Sequence, residues 1–141
     1  MRQFVKLTCL ALVISLLLAI PVMAVENRAS NFFGSSSVYL HKTSSTSFEA
    51  WFEVDALSTM DELGASLIKI QRSSDGVNWT TMRTVTKDDD SDLICENTAF
   101  HVGCVAYTGT AGYYYRAYIE LYAKNSSGRG EWYRYTSSMK L

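Results

Sequence analysis

From Tyr113 to Lys124 the chain alternates without a break: Tyr113, Tyr115, Ala117, Ile119, Leu121 and Ala123 fall on one side. Tyr114, Arg116, Tyr118, Glu120, Tyr122 and Lys124 fall on the other. Successive side chains of a β-strand point to opposite faces, so a period of two describes a strand with one face in a core and one outside it. A helix would need apolar residues at every third or fourth position, which this stretch lacks. The same alternation runs through Ser47–Asp55, where Phe48, Ala50, Phe52 and Val54 oppose Glu49, Trp51, Glu53 and Asp55.

Around these two segments the remaining pattern is also short and turn-bounded. Val38–Lys42 reads as a first strand, and Thr98–Tyr107 as another. Ser58–Ala65 fits a single helical turn, with Ser58 to cap it and Gly64 to stop it. Ser66–Thr86 predicts a hairpin. A loop over Ser73–Gly76 pairs Ile70 with Trp79 and Leu67 with Met82, apolar against apolar. A two-residue Asp75-Gly76 turn is the chemical alternative, and it pairs Ile68 with Arg83. The longer loop keeps the buried face consistent. A last hairpin pairs Asn125 with Gly130, setting Lys124 opposite Glu131, Tyr122 opposite Tyr133 and Trp132 beside Ala123. It leaves Arg134 on the core side next to Leu121, which only an open sheet edge tolerates. Six or seven short strands without a sizeable amphipathic helix predict an all-β fold, an antiparallel β-sandwich.

The first 24 residues read as a leader peptide. Arg2 and Lys6 precede an uncharged stretch from Leu7 to Ile20, Pro21 breaks it, and Val22-Met23-Ala24 suits cleavage after Ala24. About 14 apolar residues are too few for a bilayer core that needs roughly 20. Val25 stands where a lipid-anchored protein would carry cysteine, so the expectation is a secreted, extracellular chain without a membrane anchor. It divides into a signal peptide (1–24), a loose N-terminal arm (25–37) and a β-sandwich domain (38–141). Cleavage leaves 141 − 24 = 117 residues, enough for one domain. The leader removes two of the 13 basic side chains, so 13 − 2 = 11 face 14 acidic ones, a net charge of −3. With no basic cluster, this excludes nucleic acid as the expected partner. Cys9 leaves with the leader, and Cys95 and Cys104 remain in an oxidising compartment. A structural disulfide between them is expected, and two free thiols are the competing reading.

Catalytic chemistry finds little to build on. His41 and His101 are the only histidines, and neither lies in a nucleophile or metal motif. His101 and Cys104 are three apart, which in a strand sends them to opposite faces. No catalytic residue, metal site or cofactor is therefore expected. Asp88, Asp89, Asp90, Asp92 and Glu96 offer hard oxygen ligands for calcium, but Leu93 and Ala99 occupy positions that an EF-hand reserves for Gly and Glu. A solvated acidic loop over Lys87–Asp92 is the expectation. Asn78-Trp79-Thr80 and Asn125-Ser126-Ser127 fit glycosylation acceptors, relevant only in a eukaryotic host.

The tyrosines supply the candidate site. Tyr114, Tyr118, Tyr122 and Tyr133 share the face away from the core, together with Arg116. Flat rings among polar neighbours suit sugar stacking or a protein contact. Ordinary cross-strand packing is the competing explanation.

Three stretches resemble a known family. Ile68-Lys-Ile-Gln-Arg-Ser-Ser-Asp-Gly-Val-Asn-Trp79 resembles the third strand and following hairpin of bacterial fibronectin type III domains. Tyr113-Tyr-Tyr-Arg-Ala117 resembles that family's Tyr-x-Val-Arg-Val strand, whose first Tyr forms a corner. Asn125-Ser-Ser-Gly-Arg-Gly130 resembles its Asn-x-x-Gly-x-Gly turn. Ser73–Trp79 also resembles the Asp-box hairpin of sialidase-type propellers, itself a structural motif. The chain as a whole is similar to small secreted bacterial proteins. The resemblance implies an immunoglobulin-like sandwich and a non-catalytic module binding an extracellular protein or glycan. A secreted antimicrobial or toxin-like effector is the other expectation, disfavoured by the net charge of −3 and the missing amphipathic segment.

Overall fold

The computed structural model describes residues 31–141. The expected leader and residues 25–30 of the expected arm lie outside the described residues. Residues 33–37 of that arm are not loose, because they open the first strand, β1 (Phe33–Lys42).

Among the described residues the regular structure is β apart from one short 3-10 turn, Ser91–Leu93. The strands are β1, β2 (Ser47–Ser73), β3 (Thr80–Thr86), β4 (Ile94–Thr108), β5 (Tyr114–Asn125), β6 (Gly128–Tyr135) and β7 (Met139–Lys140). Every pairing is antiparallel. The seven strands form one sheet curled into a half-barrel, rather than two separate sheets.

The continuity comes from β2, whose 27 residues span the predicted second strand, helical turn and third strand in one run. Straight, it would extend roughly 85 Å at about 3.3 Å per residue. A domain of about 110 residues has a radius of gyration near 13 Å, so β2 must bend. It does so at residues 56–59, where its ladder with β4 slips between Asp55 and Met60 and Leu57 points into solvent at 62% exposure. The first arm of β2 lies between β1 and β4. The second lies between β5 on one edge and the start of β4 followed by β3 on the other.

The predicted helical turn over Ser58–Ala65 is corrected to strand. Two irregularities disguise it, the bend itself and a slip between Ala65 and Leu67. Either side of them, Met60, Leu63, Ala65 and Ile68 are all buried. Gly64 stops nothing; it allows a close crossing, since a Cβ there would overlap the carbonyl of Leu93.

The inner faces of the two arms close on one core. Phe48 from the first arm meets Tyr115 of β5 with ring centres 5.3 Å apart, and Tyr107 of β4 lies 5.9 Å from Tyr115. Phe33 of β1 meets Trp132 of β6 at 5.8 Å. Phe48, Ala50, Phe52 and Val54 are fully buried, as the alternation predicts, and so are Ala117, Ile119, Leu121 and Ala123. Tyr115, not Tyr113, makes the corner: its hydroxyl accepts from the Thr110 N–H at 2.8 Å. Gly109 makes room for it, because a Cβ there would stand 2.7 Å from the Tyr115 ring.

Both predicted hairpin registers are corrected. In the first, Arg72 pairs with Thr80 and Ile70 with Arg83, matching neither expected loop. The Asp75 carboxylate decides this. It accepts from the backbone N–H groups of Val77 and Asn78, both at 2.8 Å, from the Asn78 side chain at 2.8 Å, and from Ser73 Oγ at 2.7 Å. Those bonds satisfy a longer loop than the strand pattern suggests. In the last hairpin Asn125 pairs with Gly128, and Tyr122 with Glu131. Asn125 Oδ1 takes the Ser127 N–H at 2.9 Å and closes the shorter turn. The shift is two residues, so every side chain keeps its face and Trp132 stays inside, now opposite Leu121.

The expected disulfide is also corrected. Cys95 and Cys104 are both free and both lie on β4. They pair with different arms of β2, Cys95 with Leu63 and Cys104 with Trp51, along a strand that would extend up to roughly 30 Å over that span, whereas a disulfide holds its Cα atoms about 4.4–6.8 Å apart.

Candidate functional site

The outer face of the second arm carries the predicted tyrosines, and the ladders fix their neighbours. Tyr118 of β5 lies between Lys69 of β2 and Tyr135 of β6, and Arg116 lies opposite Gln71. Tyr118 stacks on Tyr133 at 6.0 Å and 18°, and meets Tyr135 at 5.1 Å and 60°. Tyr133 and Tyr135 remain 51% and 55% exposed. Beside them the Arg116 guanidinium lies 4.3 Å from the Trp79 ring and 4.6 Å from the Tyr135 ring, while its Nε donates to Gln71 Oε1 at 2.8 Å. The Lys69 ammonium sits over Tyr118 at 5.6 Å.

Arg116, Tyr118 and Tyr133 are thus brought together as the sequence predicts, but two of the expected residues are not on offer. Tyr122 is only 7% exposed and lies under Lys87, whose ammonium is 4.5 Å from the ring. Glu62 fixes that lid by pairing with Lys87 at 3.3 Å and Lys124 at 2.7 Å. The Lys124 hydrogen bond comes first among the causes that hold the Glu62 carboxyl below its usual range. Tyr114 is half-buried beneath Lys140 of β7, at 5.1 Å.

Trp79, Tyr135, Lys69 and Gln71 join the site without having been singled out in the sequence. Tyr135 was readable in principle, since it shares the parity of Tyr133 on the same strand. Trp79 was not, because it belongs to the loop that the Asp75 bonds fold back over β5. Gly76 of that loop lies against Tyr114, and Trp79 lies against Arg116.

Electrostatically the face has two ends. Glu120 pairs with Tyr133 and Glu131 with Tyr122, so these carboxylates lie at one end, beside Lys87 and Lys124 that Glu62 already engages, while Lys69 and Arg116 hold the other. Burial, then Glu120, pushes the Tyr118 hydroxyl up to about 12, so it stays protonated and able to donate. Glu120 likewise raises Tyr133. Rings open on one side, flanked by donors, can stack on a flat partner and hydrogen-bond its rim.

Elsewhere, His101 Nε2 lies 3.0 Å from the Asp92 carbonyl and the His101 ring packs edge-on to Phe52. The Cys104 thiol is raised by burial, which disfavours a reactive thiolate. In the acidic loop Asp89 accepts from Thr86, and Asp90 caps the 3-10 turn by accepting from the Asp92 N–H. Among the described residues no group of three or more His, Cys, Asp or Glu is placed to hold a metal ion. An open concavity of about 590 Å³ lies by the β5–β6 turn, lined by Asn31, Phe32, Asn125, Ser127, Gly128 and Arg129. It is separate from the aromatic face and brings no set of catalytic groups together. No protein-family model and no curated protein matches the chain.

Proposed function

We propose that the chain is an exported, non-catalytic binding module that holds a cell-surface carbohydrate on the Trp79–Arg116–Tyr118–Tyr133–Tyr135 face. The observation that carries this reading is the stacked and half-open ring cluster, with Tyr133 and Tyr135 more than half exposed on a rigid two-strand ladder. Large aromatic rings left in water at a fixed spacing cost hydration free energy that a stacked partner recovers. Export rests on the leader pattern of residues 1–24. An immunoglobulin-like kinship is part of the same proposal, supported by the Tyr115 corner and by two sheet arms facing across one core.

Glycan-array and cell-wall pull-down binding with wild type, Tyr118→Ala and Tyr135→Ala tests the reading. Wild type is expected to bind, with each variant weaker by about tenfold or more for the loss of one stacking ring. Equal binding by all three, or none by wild type, overturns it.

A further inference from the structure

Arg116 is half-buried, yet no carboxylate stands within ion-pair distance of it: the ion pairs among the described residues are Lys87–Glu62, Lys124–Glu62 and Arg129–Glu131. A guanidinium half out of water and stacked on two rings is held in place while its outer N–H donors stay free to meet an anion. Here Gln71 occupies its Nε, and the rings of Trp79 and Tyr135 lie against it. Its two terminal nitrogens have no acceptor among the described residues. That is the fork geometry with which arginine meets a carboxylate or sulfate. Lys69, one step along the same ladder, also has no carboxylate partner among the described residues.

The acidic residues do not quench this charge. Glu120 Oε1 accepts from Ser66 Oγ at 3.0 Å, and Glu120 and Glu131 lie toward the Tyr133–Tyr122 end. A densely charged polyanion laid along the face would meet both carboxylates, whereas a neutral sugar would leave Arg116 unpaired. A ligand with one anion beside a flat ring satisfies both ends. Resting on the carbohydrate reading above, we propose that the ligand is an acidic saccharide whose carboxylate or sulfate binds Arg116 and Lys69 while its ring stacks on Tyr118 and Tyr135.

Calorimetric titration of the protein with galacturonate, its methyl ester, galactose 6-sulfate and galactose tests the assignment. At least one acidic ligand should bind about tenfold or more tightly than its uncharged counterpart, the difference expected of a charge-assisted bond. Preference for galacturonate or for galactose 6-sulfate identifies which anion is held. Arg116→Gln should weaken the acidic ligand by about 10- to 100-fold and the uncharged one by several-fold less, and Lys69→Gln should weaken the acidic ligand a few-fold. Equal binding of charged and uncharged forms, or unchanged acidic binding in both variants, overturns the acidic assignment and leaves the carbohydrate reading standing. Failure of wild type to bind any saccharide overturns both. If Arg116→Gln does not fold, the Lys69→Gln variant and the charged-against-uncharged comparison decide the question.

Discussion

The Arg134 guanidinium on β6 donates to the carbonyl oxygen of Ser36 on β1, 3.2 Å away across the open seam of the half-barrel. Arg83 on β3 does the same at the opposite seam, donating to the Ala106 carbonyl of β4 at 3.1 Å. Each arginine occupies an edge carbonyl that would otherwise be free to pair with another chain. Arg134→Ala should therefore destabilise the domain by about 1–2 kcal/mol, through the lost bond and its packing on Trp132. The Arg83→Ala/Arg134→Ala double variant should also self-associate at concentrations where wild type is a single species. Urea unfolding and light scattering measure the two effects.

Tyr115 is 1% exposed and its hydroxyl is the acceptor for the Thr110 N–H. Tyr115→Phe leaves that donor unsatisfied and should cost about 1–2 kcal/mol. Tyr113→Phe should change stability by less than about 0.5 kcal/mol, the usual bound away from such a bond. If the two variants proved equally stable by denaturant titration, the corner assignment would fail.

Asp75 gives the fold an acid-sensitive point. The hydrogen bonds from Asn78, Ser73 and Val77 hold its carboxyl well below the ordinary aspartate range. A group whose folded value is depressed contributes stability above its unfolded value, near 4, and that contribution is lost as pH falls toward the folded value. Wild type should lose loop stability between about pH 4 and pH 2, and Asp75→Asn should flatten that part of the profile. Because the same loop carries Trp79, tryptophan fluorescence followed across this range should report the change in wild type.

The cysteines separate the sequence reading from the structure most directly. The folded chain should retain Cys95 and Cys104 as thiols, with no 2 Da mass deficit from a bond between them. In denatured protein both should react with a thiol reagent, whereas native Cys104 reacts more slowly because burial raises its thiol. A mass spectrum showing an intramolecular Cys95–Cys104 bond would require β4 to be broken.

What could be read in advance was what repeats. Phe48 to Val54 and Tyr115 to Ala123 announced their buried faces because the pleat imposes a period of two on any half-buried strand. Loop closure was not readable in the same way. Asp75 and Asn125 set their hairpins through side-chain bonds to particular N–H groups, and a hydrophobicity pattern carries no record of those. Met60 to Ala65 hid within β2 because an extra residue shifts the parity of everything after it. An intramolecular Cys95–Cys104 bond needs a turn between the two residues, and β4 runs through both; cysteine count alone carries no record of that. Of the candidate site, Arg116, Tyr118 and Tyr133 came from parity alone, and Trp79 had to await the fold of its loop.

The bent 27-residue β2 has one more consequence. β1, β3, β4 and β5 all use it as a partner, so neither arm keeps its hydrogen bonds if the other lets go of this shared spine. Unfolding should therefore run as a single transition, with no half-molecule surviving as a stable fragment. A backbone nick within β2 should abolish the fold, whereas one in the 87–90 loop should leave a nicked but intact protein.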